Sequence, residues 1–288
     1  MAAGAIYAFA PYRFDHYMHL ELQIVFWIPL ALLLVHRILA EGRIRDGVLL
    51  GGAVAAQALS SVYAAIFLVT YCAVFVPLLT ILAPARRFRG LALPLVAAAT
   101  VTLVMVVPYS LAYVRAKSLV GTRTLDDVRH YGASLQNYLA APSINRLYGR
   151  TSARFGADEL NLFPGSAAIL FGVLGILKAK GPVRLAYLGA LVLAFDVSRG
   201  LNGVTYPLLF RYLPPFRALR SPARIDILVN LSIAILSAYG VAWLITRMKR
   251  NTWRAAVGAA IVAVLMTISM LARESSSRYV SSPNVRTT

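Results

Sequence analysis

Charge is scarce in this chain: Asp, Glu, Lys and Arg make up 14% of its 288 residues, whereas 59% are hydrophobic. Soluble domains carry about a quarter charged residues, so one water-soluble core is excluded as a place to hide this much apolar surface. Acids are scarcer still, with 11 against 29 bases and a formal net charge of +18. In a soluble chain that imbalance points to nucleic acid. Here the bases stand between long apolar runs, the pattern of membrane-protein loops, and no nucleic-acid partner is expected. A single cysteine, Cys72, excludes an intrachain disulfide and a cysteine-based metal cluster.

What is abundant is long uncharged sequence. A helix needs about 20 apolar residues to cross the hydrocarbon layer. Stretches free of Asp, Glu, Lys and Arg predict an all-α polytopic bundle of about eight transmembrane helices, near 21–40, 46–59, 61–83, 90–113, 163–179, 183–197, 225–246 and 254–272. The uncharged run from Gly47 to Ala85 is too long for one crossing and divides at Ser60-Ser61 into a hairpin. Residues 1–272 read as a single transmembrane domain with two longer connections, about 114–162 and 198–224, and the Ser-rich 273–288 as a disordered tail.

The basic residues orient the bundle. Placing residue 1 outside gathers Arg37/Arg43/Arg45, Arg86/Arg87/Arg89, Lys178/Lys180/Arg184 and Arg247/Lys249/Arg250/Arg254 in short inner loops. Those loops hold only Glu41 and Asp46 as acids. The other carboxylates, Asp15, Glu21, Asp126, Asp127, Asp158, Glu159, Asp196, Asp226 and Glu274, fall on the outer side together with both long connections. The expected location is a membrane, crossed several times, with residue 1 on the outer side and function in the outer loops. No signal peptide precedes the first span. Residues 1–19 read like the interior of an outer loop, so the natural chain is expected to begin upstream.

Three outer constellations carry the candidate chemistry. Around Asp15, His16, His19 and Glu21 an acid, two imidazoles and a second acid crowd the start of the first span. Asp15, His19 and Glu21 are one reading as a divalent-metal set, and an interfacial aromatic and histidine belt is the other; the sequence identifies no cofactor. In the first long loop, Asp126 and Asp127 are adjacent, so one is a candidate base while the other pairs with Arg123 or Arg129. Leu135, Tyr138 and Leu139 predict a short amphipathic surface helix ended by Pro142, and Arg146, Arg150 and Arg154 recur every four residues as phosphate-binding candidates. In the second, Arg217, Arg220 and Arg224 stand in a proline frame (Pro214, Pro215, Pro222), suited to a lipid-linked phosphate at the membrane surface, with plain headgroup anchoring as the alternative.

Several segments in order carry a resemblance: AFAPYRFDHYMHLELQIVFWIPLALLLVHRIL, GRIRDGVLLGGAVAAQALSSVYAAIF, SLQNYLAAPSINRLYG with ELNLFPG, and PPFRALRSPAR. Together, over most of residues 5–247, they resemble bacterial YfhO-like membrane proteins of the GT-C glycosyltransferase superfamily. The resemblance implies an enzyme that moves a hexosyl or pentosyl group from a polyprenyl-phosphate donor to an acceptor on the extracytoplasmic side. It implies a base or metal-binding carboxylate in an outer loop upstream of residue 1, which puts Asp15 in the family's next outer segment. Within this chain the expectation is that Asp15, Asp126 or Asp127 takes the acceptor proton, while Arg217, Arg220, Arg224 and Arg146 hold the lipid phosphate. Expected partners are membrane lipids and the lipid-linked sugar donor. Two other classes stay open: a lipid or polymer transporter using Gln57, Ser60, Ser61, Tyr63 and Tyr71, and a non-catalytic scaffold.

Overall fold

The computed structural model describes residues 1–82, 90–120, 124–157 and 159–247, and among them every regular element is helical. The expected span at 254–272, the tail at 273–288, Arg86, Arg87, Arg89, Arg123, Asp158, Lys249, Arg250, Arg254 and Glu274 lie outside the described residues. Three short helices, α1 (Ala2–Ala8), α2 (Pro11–Asp15) and α3 (Leu20–Gln23), precede α4 (Trp27–Glu41). Then follow α5 (Ile44–Ser60), α6 (Val62–Leu82) and α7 (Ala92–Val120). A layer of short pieces contains α8 (Leu125–His130) and α9 (Arg150–Phe155), before α10 (Ser166–Lys178) and α11 (Pro182–Ser198). A second such layer contains α12 (Thr205–Tyr212) and leads into α13 (Asp226–Arg247).

Among the described residues, four stretches are long and apolar enough to cross a membrane: Leu20–Glu41, Val62–Leu82, Ala92–Leu111 and Pro222–Arg247. The arrangement is that of a helical membrane protein. The remaining expected spans inside the described residues are helices too, but shorter, with 17 residues in α5, 13 in α10 and 17 in α11. Local chemistry sets their ends. Gly42 adopts φ 67° to stop α4, Ser61 separates α5 from α6 in an extended conformation, and prolines start α2 and α11 where a missing N–H costs nothing.

Close backbone approach assembles the bundle. Helices α10 and α13 form the most extensive pair, followed by α5 and α7. Any Cβ on Gly175 would land on the Leu236 carbonyl oxygen, and one on Gly240 on that of Phe171; Gly47 and Gly51 stand in the same relation to Pro94 and Ala98. Small residues at the crossing supply the van der Waals contact that replaces the hydrophobic drive inside a membrane. Tyr71 and Ser232 add a 2.7 Å hydrogen bond between α6 and α13. At the end of the bundle where α4 meets α5, the fully buried Asp46 is held by Arg37 at 3.1 Å.

The opposite end is built differently. There the N-terminal segment and both long connections fold into one layer, tied by Ala133 N–H to Ser198 O (3.0 Å), Ala223 N–H to Tyr131 O (3.3 Å) and Leu162 N–H to Asn137 O (3.0 Å). Tyr12, Ala133, Leu160, Leu162 and Ala223 bury a small apolar nucleus of their own inside that layer. The expected amphipathic helix at 134–142 is instead a single 3-10 turn, Gln136–Leu139. Its physical reason is Asn137, whose carboxamide oxygen takes both the Ser134 N–H (2.7 Å) and hydroxyl (2.8 Å) while its NH2 reaches Phe155 O (3.0 Å). Tyr138 turns inward to Ser198 (2.7 Å), while Leu135 and Leu139 remain exposed, so the three never share a face.

Candidate functional site

Segments from all three sequence constellations meet in this layer. A polar cleft of about 590 Å³ is lined by Asp15, His16, Met18, His19, Ser152, Ala153, Gly156, Ala157, Glu159 and Asn161. One wall is the turn after α2. Gln23 pins it by donating to the carbonyls of Arg13 (2.9 Å) and His16 (3.0 Å), while Arg13 returns a bond to Gln23 O (3.0 Å). The facing wall is the end of α9 and the loop residues after it. Ser152 donates to Asn161 Oδ1 (2.9 Å), which fixes the amide so that Asn161 Nδ2 donates to Asp15 Oδ2 at 3.0 Å. A side chain on Gly156 would collide with Asn161 Oδ1, so glycine there is what lets the amide in.

Behind the cleft lies a ring of ionisable side chains. Arg224, only 7% exposed, pairs with Glu159 at 3.1 Å and with Glu21 at 3.7 Å. His19 closes the ring at 3.4 Å from Glu21 and 3.6 Å from Glu159. Glu159 reaches this position with φ 58°, the left-handed conformation that a non-glycine residue adopts at a cost of about 1–3 kcal/mol. Burial opposes charge on Glu159, but the Arg224 guanidinium, aided by its hydrogen bond, holds the carboxyl below its ordinary value. Burial pushes Asp15 up, against the Asn161 amide and His16 and with Glu159. Burial lowers His16 despite its hydrogen bond to the Tyr12 carbonyl and the nearby Asp15 and Glu159.

Beneath the cleft, polar atoms are buried without a protein partner among the described residues: Tyr12 Oη, His16 Nε2, Ser221 Oγ, Arg224 Nε and Asp226 Oδ1. Tyr12 feels Asp226, Arg224, Glu159 and Asp15 and is held well above its ordinary phenol range, first by its own burial.

The expected residues divide accordingly. Asp15 and Arg224 enter this site, and Arg220 stands at its edge: its guanidinium lies 5.0 Å from the Tyr131 ring centre and its backbone N–H donates to the Tyr63 hydroxyl at 2.9 Å. Arg217 is exposed and donates to the carbonyls of Phe210 (3.2 Å) and Arg211 (2.7 Å). Arg146 is exposed ahead of α9 and joins none of these contacts among the described residues. Asp127 caps α8, accepting from the Thr124 N–H and hydroxyl at 2.9 Å each, and Asp126 is an exposed partner of Arg129 at 3.3 Å. Glu159, Asn161 and Asp226 lie within the outer segments that the sequence marks, yet no one of them stands out there as a site residue. The nearest signals are the ELNLFPG stretch, which holds Glu159 and Asn161, and the position of Asp226 at the end of the Arg-rich segment. Among the described residues, no group of three or more His, Cys, Asp or Glu side chains is arranged to hold a metal ion.

A second feature abuts the first. An apolar groove of about 470 Å³ runs between α5, α6 and α7, lined among others by Val54, Val62, Ile66, Val69, Val106 and Tyr109, and closed at its top by Leu213, Pro215 and Phe216. Tyr63, one residue after the groove-lining Val62, stands between the two: its ring lies 5.1 Å from the guanidinium of Arg224, which pairs with the cleft-lining Glu159. Fold and site together define a helical membrane protein with a polar cleft at one end of the bundle and an apolar groove beside it. Comparison with family models, with curated proteins and with solved structures gives no match.

Proposed function

We propose that this protein is a membrane glycosyltransferase of the GT-C type, taking a sugar from a polyprenyl-phosphate donor on the extracytoplasmic face of a bacterial plasma membrane. The observation that carries the reading is the junction at Tyr63, where an apolar groove meets arginines and a carboxylate-lined cleft. A polyprenyl phosphate is an anionic head on an apolar tail. Its tail suits the groove, and its phosphate suits Arg220 and Arg217 at the groove's top. Arg224 has a different role in this reading, because Glu159 and Glu21 already neutralise it and it holds the cleft together.

The carboxylates in the cleft disfavour a phosphate and accept hydroxyl hydrogen bonds, which fits a neutral, hydroxyl-rich acceptor. Asp15 is the carboxylate that binds and orients the acceptor hydroxyl: Asn161 occupies its Oδ2 and leaves Oδ1 to the ligand. In this reading Asp126 and Asp127 support the loop. The bundle is completed by α5, α10, α11 and the apolar stretch 254–272 as further spans, giving eight, with the cleft end outward. The transporter alternative is less favoured, because Gln57, Ser60, Tyr63 and Tyr71 are each committed to hydrogen bonds within the fold.

The test is transfer of labelled sugar from a polyprenyl-phosphate donor by the full chain in proteoliposomes. Transfer that is lost in Asp15→Asn and in Arg220→Ala, with membrane insertion unchanged, supports the reading. Equal transfer by Arg220→Ala contradicts it.

A further inference from the structure

His16 is an unusual residue to find at 1% exposure on the wall of a polar cleft. Its Nδ1 lies 3.0 Å from the Tyr12 carbonyl oxygen, an atom that only accepts, so Nδ1 carries the hydrogen. A neutral imidazole with Nδ1–H has a bare lone pair on Nε2, and this Nε2 has no partner among the described residues. The ring is held on two sides: it packs against Tyr12 with centroids 4.2 Å apart and planes tilted by 33°, and Gln23 holds the backbone carbonyl of the same residue. Beside it stands the Asp15 carboxylate, oriented by Asn161. A fixed acceptor with nothing to accept, next to a fixed carboxylate, is what a ligand hydroxyl requires.

We propose that the cleft binds a neutral polyhydroxyl ligand with one hydroxyl directed to His16 Nε2, and that His16 is the group that receives the proton of this hydroxyl during transfer. The second half rests on the glycosyl-transfer reading above. In the step, the hydroxyl O–H bond breaks and its proton moves to Nε2. The freed oxygen pair forms the bond to the anomeric carbon, while the bond from that carbon to the phosphate oxygen breaks and its electron pair leaves with the lipid phosphate. The imidazolium that results is balanced by Asp15 from the end of α2 and by Glu159 from the facing loop, against the opposing charge of Arg224 before α13. Burial, which lowers His16 from its ordinary value, keeps the ring neutral and ready before the ligand arrives. Asp15 thus orients the hydroxyl and offsets charge, and the proton ends on the imidazole.

The experiment is nitrogen-15 NMR of the full chain, labelled at histidine and embedded in nanodiscs, at neutral pH. The His16 resonances are assigned by their loss in His16→Gln and, should that variant not fold, by elimination with His19→Gln, His36→Gln and His130→Gln. The expected result is an unprotonated Nε2 whose resonance shifts when methyl glucoside is added and does not shift with inorganic phosphate. A protonated Nε2, or no shift with the glycoside, overturns the binding site. Transfer assays then separate the two claims: His16→Gln should lose at least about 100-fold in rate and the pH dependence of the wild type. If wild-type chain transfers sugar and His16→Gln does so equally, the glycosyltransferase reading stands and His16 as proton acceptor is overturned. If the glycoside shift is present and wild type transfers nothing, the polyhydroxyl site stands, while the transfer reading and the proton-acceptor role both fall.

Discussion

Arg224 and Glu159 meet at 3.1 Å although 65 positions separate them, and their contact joins the turn ahead of α13 to the loop after α9. His19 and Glu21, at the entrance to the first long apolar stretch, complete the ring. One closed ring of ionisable side chains therefore couples the N-terminal segment, the first long connection and the second.

Breaking that ring should loosen the whole layer. Arg224→Ala removes the nearly buried cation shared by Glu159, 21% exposed, and Glu21, 43% exposed, and with solvent screening of those carboxylates the expected loss of stability is on the order of 2 kcal/mol. Glu159→Gln should cost less, since Glu159 is 21% exposed and Glu21 still serves Arg224. Thermal unfolding of the purified chain checks the order; a more stable Arg224→Ala variant contradicts it.

The same pair has a pH signature. Glu159 is held below its ordinary carboxyl value of 4.5, so the folded state gains stability from its charge above that pH and loses it as pH falls through the depressed value. Asp15 is raised and acts in the opposite sense, its charged form being disfavoured by folding. Stability followed from pH 6 downward should therefore show an acid limb that Glu159→Gln flattens and Asp15→Asn steepens. Unchanged limbs in both variants contradict the assignment.

At the helix crossings, substitution should act through volume alone. Gly175→Leu and Gly240→Leu drive side chains into backbone carbonyls of the facing helix and should leave little monodisperse protein, whereas Gly52→Leu, whose Cβ meets nothing within 4 Å, should be tolerated. Size-exclusion profiles decide between them. Equal profiles for Gly175→Leu and Gly52→Leu would refute the packing.

The three candidate aspartates should behave differently. Asp127→Asn weakens a capping box and should cost about 1 kcal/mol, and Asp126→Asn loses only an exposed ion pair worth less than that. Neither should reduce sugar transfer, while Asp15→Asn should abolish it. Transfer rates of the three variants, each normalised to folded protein, test this directly.

Sequence was most informative where one physical rule acts on many neighbouring residues. Uncharged length located α5, α6, α10, α11 and α13 within about three residues at each end, and α4 and α7 at one end only, because a run of apolar side chains needs no knowledge of its partners. It was least informative where the outcome depends on distant pairs. The spacing of Leu135, Tyr138 and Leu139 is that of a helix, yet the Asn137 amide wins locally and Ser198 captures Tyr138. Arg224 looked like its neighbours Arg217 and Arg220 in sequence. Only the fold shows that two carboxylates claim it and leave the others accessible. Likewise Asn161, with no distinguishing motif, acquires meaning from Asp15, 146 positions away.

The most direct measurement is sugar transfer from a radiolabelled polyprenyl-phosphate donor to methyl glucoside, by the full chain in proteoliposomes, compared with Arg220→Ala. The account predicts transfer by the wild type and at least a 100-fold loss in the variant at equal insertion. Transfer that Arg220→Ala retains, or its absence from the folded wild type, would contradict it.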